Sequence, residues 1–170
     1  MKKMISFLLL ALMLLGSLAC QTVSDTDVKP RRQFSHNGAT LEIDDPAESI
    51  TESFGQPRAY DEEPSCPPYT GVTKIYVYSD FTVQAYTVNG KDYFVQKISL
   101  TNDLVATEEG IAIGDSKERV ISVYGDGYEE FGASIYYVGS SENGDPMHLQ
   151  FVFRDGKVAN VYYLKESPKQ

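Results

Sequence analysis

Over 170 residues the chain carries 24 acidic and 15 basic side chains, a formal net charge of -9, and 42% of its residues are hydrophobic. A surface of that sign repels phosphate backbones and anionic headgroups, so nucleic acid is excluded as a partner and a basic membrane patch is excluded as an anchor. The composition is otherwise that of a globular domain long enough to bury roughly two thirds of its unfolded surface.

The first element is a processing signal. Lys2 and Lys3 precede an apolar run from Ile5 to Leu15, broken by Ser6, and small residues follow. This is the layout of a secretory leader, and the run is shorter than the ~20 apolar residues a spanning helix needs. Ser17-Leu18-Ala19-Cys20 resembles the lipobox of bacterial lipoproteins. That resemblance implies cleavage before Cys20, diacylation of its thiol, and a lipid-anchored protein on the extracytoplasmic side of a cell membrane. Without residues 1–19 the basic count falls from 15 to 13 against 24 acids, a net charge of -11. With Cys20 acylated only Cys66 remains, so no disulfide can form inside the chain. Residues 20–40 lack a sustained apolar period and read as a flexible tether.

Two stretches then resemble each other at a separation of 70 residues. Ile43, Asp45, Glu48, Ile50, Phe54 and Gly55 fall on Ile113, Asp115, Glu118, Val120, Tyr124 and Gly125. An aspartate followed three residues later by glutamate reads as a capping box, Pro46 suits the first helical position, and the glycine reads as the stop. Each stretch is expected to be a helix of about three turns, burying Ala47, Ile50 and Phe54 in one and Val120, Val123 and Tyr124 in the other.

Between them, Gln56 to Thr70 holds Pro57, Pro64, Pro67 and Pro68 and reads as a loop, with Cys66 packed beneath it. Strands are expected over Lys74–Tyr78, Phe81–Val88 and Tyr93–Leu100, the last two joined by a type I′ turn at Asn89-Gly90. The same order recurs as Ser134–Val138, Met147–Phe153 and Val158–Leu164, with a turn at Asp155-Gly156. The predicted fold is therefore α+β. It has two tandem repeats, 41–103 and 104–170, each a capped helix followed by an antiparallel meander, with the helices packed on one face of the sheet.

Alternation assigns the faces. Phe81, Val83, Ala85, Met147, Leu149, Phe151 and Phe153 are apolar at every second position and point to the helices. The opposite, open face is assigned Tyr76, Tyr78, Gln84, Tyr86, Tyr136, His148 and Gln150, the candidate protein-binding residues, because tyrosine offers a rigid surface with a polar tip.

The stretches IGDSKERVISVYGDG and LQFVFRDGKVANVYYL resemble the repeats of the β-lactamase inhibitory protein and of the small outer-membrane assembly lipoproteins of the SmpA/OmlA type. PSCPPYTGVTKIYVYSDF is similar to segments of two-repeat Firmicutes lipoproteins. The resemblance implies a binding protein of the cell envelope or extracellular space whose partner is another protein. The alternatives are an inhibitor of an exported hydrolase and a structural or assembly factor of the envelope.

Catalytic signatures are missing. The chain has no HExxH, CxxC, GxSxG or P-loop, its acidic groups lack the calcium-loop spacing, and His36 and His148 do not read as a metal pair. The expectation is a protein with no enzyme activity, catalytic residue, metal or cofactor.

Overall fold

The computed structural model describes residues 33–67, 69–140 and 146–165. The expected leader, Cys20 and the expected tether as far as residue 32 lie outside the described residues. Among the described residues ten strands and two helices run in the order β1 (Gln33–His36), β2 (Ala39–Glu42), α1 (Glu48–Phe54), β3 (Ala59–Pro64), β4 (Thr70–Val77), β5 (Phe81–Thr87), β6 (Phe94–Leu100), α2 (Lys117–Tyr124), β7 (Glu129–Phe131), β8 (Ser134–Ser140), β9 (Pro146–Arg154) and β10 (Lys157–Lys165).

The expected α+β arrangement of two helix-capped tandem repeats is overturned. The protein is mostly β, and its core element is one antiparallel sheet of eight strands in the order β3-β4-β5-β6-β10-β9-β8-β7. The helices have seven and eight residues, about two turns each. Two segments without a strand signal extend the sheet at its edges. The proline-containing stretch read as a loop supplies β3, where Pro64 ends an edge strand that needs no second ladder. The acidic Glu129–Phe131 supplies β7 at the other edge.

The tether reading also fails at its end. Gln33–His36 pairs with Ala39–Glu42, and Phe34 is fully buried. Asn37-Gly38 forms the turn, with φ of 51° and 81°, the positive pair that a type I′ hairpin requires. Asp155-Gly156 turns the same way between β9 and β10, as expected, with φ of 54° and 74°. The Asn89-Gly90 hairpin exists, but with a longer loop. Asn89 does not adopt positive φ; its Oδ1 instead accepts from the N–H groups of Lys91 and Asp92, both at 2.9 Å.

Neither capping aspartate caps its helix. Asp45 Oδ2 accepts from the Glu42 N–H at 2.8 Å and Asp115 Oδ2 from the Ala112 N–H at 2.9 Å, so each closes the turn before the helix. Ser116 caps α2, its hydroxyl accepting from the Arg119 N–H at 3.2 Å, whereas Ala47 begins α1 with no side-chain cap. Pro46 stands before α1 and bridges to Phe94. Gly55 and Gly125 end the helices at φ 72° and 81° with extended ψ, a region that is essentially glycine's alone.

The core lies between one face of the sheet and the layer formed by α1, α2 and the β1–β2 hairpin. Its rows follow the strand register. Phe81, Leu100, Val161, Phe151 and Ile135 stand opposite one another across five strands, and Val83, Ile98, Tyr163, Leu149 and Tyr137 form the next row. All ten are buried, and Phe34, Leu41, Ile50, Val120 and Tyr124 cover them.

Candidate functional site

The opposite face is built by the same register. One row crosses all eight strands: Ala59, Val77, Thr82, Ser99, Tyr162, Gln150, Tyr136 and Glu129. The next carries Asp61, Ile75, Gln84, Lys97, Leu164, His148 and Val138. Directly opposed residues of an antiparallel pair share a face, so these two rows define the surface turned away from the helices.

Four of the seven candidate residues belong to it. Gln150 Nε2 donates to the Tyr136 hydroxyl at 2.9 Å and to the Ser134 hydroxyl at 3.1 Å, and the His148 ring meets Tyr136 edge-on at 5.8 Å between centroids. Gln84 stands on β5 between Ile75 and Lys97. The Tyr136 ring is thus fixed on two sides, by an amide at its hydroxyl and by an imidazole at its edge. A large side chain held in one rotamer loses little entropy when something docks on it.

The other three are elsewhere. Tyr76 opposes Val83 in a core row, packs against the core, and lies near the Glu48 carboxylate of α1; burial first, and that charge second, push its phenol pKa up. Tyr78 stacks on Phe81 at 4.7 Å and donates to the Gly55 carbonyl at 2.8 Å, tying β4 to the end of α1. The reason is parity. Opposed residues on β4 and β5 join an even-numbered with an odd-numbered position, so even positions that face outward on β5 face the helices on β4. On β8 and β9 even opposes even, and Tyr136 remains outside. Tyr86 is buried; its hydroxyl donates to Asp44 Oδ1 at 3.2 Å, and Lys165 reaches the same oxygen at 2.8 Å.

Three contributors to the face are missed by the sequence reading. Phe131 is 80% exposed and Val138 46%, both beside Tyr136. Lys97 lies over the Tyr162 ring at 4.4 Å from its centroid, and burial lowers its ammonium pKa. Phe131 is the one apolar residue of β7, which has no period of its own, and only pairing with β8 shows which way it points. Lys97 and Tyr162 meet across β6 and β10, a pairing remote in sequence.

Searches against protein-family models and curated proteins find no match. One solved structure is similar to this chain. It is an extracellular protein containing an SCP domain from Bacillus anthracis, 18% identical, with a TM-score of 0.48, covering 82% of this chain. The chain spans 50% of that protein's length. A likeness at this level carries no statement about activity or partners.

Among the described residues no group of three or more His, Cys, Asp or Glu could hold a metal ion, and no helix is long and apolar enough to cross a membrane. Cys66 is an exposed free thiol, so it is not the residue packed under a loop that its proline neighbours suggest.

Proposed function

We propose that the protein is an exported envelope lipoprotein, anchored through Cys20, that binds another protein with the open face of its sheet. The observation that supports this reading is the patch at the β7–β9 end. There Tyr136, braced by Gln150 and His148, is flanked by the exposed apolar side chains of Phe131 and Val138. Fixed aromatic rings amid apolar surface have the composition of interface hot spots, where removing one residue costs about 2 kcal/mol or more. The site is therefore re-centred on Phe131, Tyr136, Val138, His148 and Gln150, with Gln84 farther along the same face.

Two experiments test it. In the native envelope, a photo-crosslinker placed at Val138 is expected to trap a partner, and one placed at Glu48, exposed on α1, is not. Adding Tyr136→Ala to the Val138 probe should remove the adduct, while Tyr76→Ala should leave it whenever the protein remains folded. Equal trapping from both faces, or none from Val138, overturns the binding reading. For the anchor, an alkyne fatty acid fed to growing cells should label the wild type and leave Cys20→Ser unlabelled. A label that survives the substitution refutes lipidation at this residue.

A further inference from the structure

Away from the open face, a cavity of about 310 Å³ lies where the β1–β2 hairpin meets the end of α1 and the β4–β5 turn. Its polar groups belong to His36, Asn37, Ser53, Ser79, Asp80 and the Tyr78 hydroxyl, and its apolar wall to Phe54, Phe81 and the Tyr78 ring; the Ser53 hydroxyl donates to the Thr40 carbonyl at 3.0 Å. Three short elements remote in sequence converge here because Phe34 and Phe54 pack on Phe81, at 4.8 and 4.9 Å between ring centroids.

Most of the polar capacity is already used. The Tyr78 hydroxyl is committed to the Gly55 carbonyl. Asp80 Oδ1 accepts from Asn102 Nδ2 at 2.8 Å, which fixes the carboxylate. His36 Nε2 lies 3.0 Å from Asn37 Nδ2, and with the amide in that orientation the ring nitrogen is the acceptor. Among the described residues, the one carboxylate of the lining keeps its second oxygen, Asp80 Oδ2, outside any hydrogen bond. That oxygen stands 3.8 Å from His36 Nε2, beyond hydrogen-bond range, and the Asp80 side chain is 23% exposed. No lysine or arginine lines the cavity. A fixed carboxylate with one oxygen unengaged, set against aromatic rings in a chain of net charge -9, accepts donors and favours cations.

We propose that this cavity binds a primary ammonium group on a short aliphatic stem, the ammonium donating to Asp80 Oδ2 and the methylenes lying against Phe54 and Tyr78. A hydroxyl in the same place would make one neutral hydrogen bond, and a charge-assisted bond is roughly twice as strong. The aromatic wall adds attraction for a cation that an alcohol does not receive. An anion is repelled. The ammonium can come from a free amine or from a lysine side chain of another protein, and the two differ in the group at the far end of the stem.

The test is a titration of the purified full chain followed by ¹H–¹⁵N NMR, with butylammonium, 1-butanol and Nα-acetyl-lysine amide as probes. Butylammonium is expected to shift the amides of His36, Asn37, Ser79 and Asp80 together, and 1-butanol is not. Asp80→Asn, which keeps an acceptor for Asn102, should weaken binding by about tenfold or more. Should that variant fail to fold, Ala39→Leu, which fills the lining without changing charge, should block the same shifts. Saturation by both ammonium probes supports the site; tighter binding of Nα-acetyl-lysine amide assigns the source to a protein side chain, and tighter binding of butylammonium assigns it to a free amine. Equal response to 1-butanol, binding unchanged in both variants, or shifts scattered over the acidic surface with both ammonium probes would overturn it.

Discussion

Phe34→Ala is expected to destabilise the protein by about 3–5 kcal/mol, the cost of emptying an aromatic-sized hole in a core. Phe34 has no exposed surface, and its ring lies 4.8 Å from that of Phe81, 5.9 Å from Phe54 and 6.0 Å from Tyr163. It is thus the point where the β1–β2 hairpin joins both a helix and the sheet. Urea unfolding of the full chain measures the effect as a lower midpoint at unchanged slope. A residue in a solvated tether would change stability by no more than about 0.5 kcal/mol, so the measurement separates the two descriptions of this segment. The hairpin also forms one side of the Asp80 cavity, and loosening it should cost ammonium binding as well.

The second large effect is loss of stability at alkaline pH. Tyr124, the last residue of α2, is buried, its hydroxyl donating to Glu109 Oε2 at 2.6 Å and lying 2.8 Å from Thr107 Oγ1. Burial, and then the Glu109 carboxylate, push its pKa well above the ordinary phenol value; burial does the same to Tyr163. In the unfolded chain both ionise near pH 10. Below that pH the phenols are protonated in both states and the contribution is fully present. Above it the unfolded state releases protons that the native state holds, so stability falls by about 1.4 kcal/mol per pH unit for each tyrosine. Absorbance at 295 nm should show the buried phenols ionising together with the loss of near-UV circular dichroism. Smooth, independent titration of every tyrosine in a folded protein would contradict this. Tyr124→Phe should remove its share of the pH dependence, at a cost of about 1–3 kcal/mol near neutrality from the polar groups it leaves behind.

Much of the inner layer was readable from residue type alone. Phe81, Val83, Ala85, Met147, Leu149 and Phe151 alternate with polar neighbours and all face the core. Asp155-Gly156 turns where its chemistry requires, and Gly55 and Gly125 stop the helices at positive φ. The Asn37-Gly38 hairpin was equally legible, because the same turn chemistry stands between two short runs, but its flanking strands are brief and polar enough to pass for tether. Asp45 and Asp115 show the limit of a local pattern. A carboxylate before a helix can serve either the helix or the turn that precedes it, and both choices present the same spacing.

The open face marks the division between sequence and tertiary structure. Period-two alternation, a property of the backbone, states that a strand has two sides, and the residues state which of them is apolar. Which side of one strand joins which side of the next depends on the length and path of the turn between them. A shift of one position exchanges the faces. That is why Tyr76 and Tyr78, tyrosines on a strand like Tyr136, turn inward to α1 while Tyr136 stays outside with Gln150 and His148. The sequence by itself determined the charge, the alternating core strands, and the Asp155-Gly156 turn. Only the tertiary structure decided the single eight-stranded sheet, the neighbours of Phe131 and Lys97, and the meeting of His36 with Asp80, because each depends on pairing or packing between segments distant along the chain.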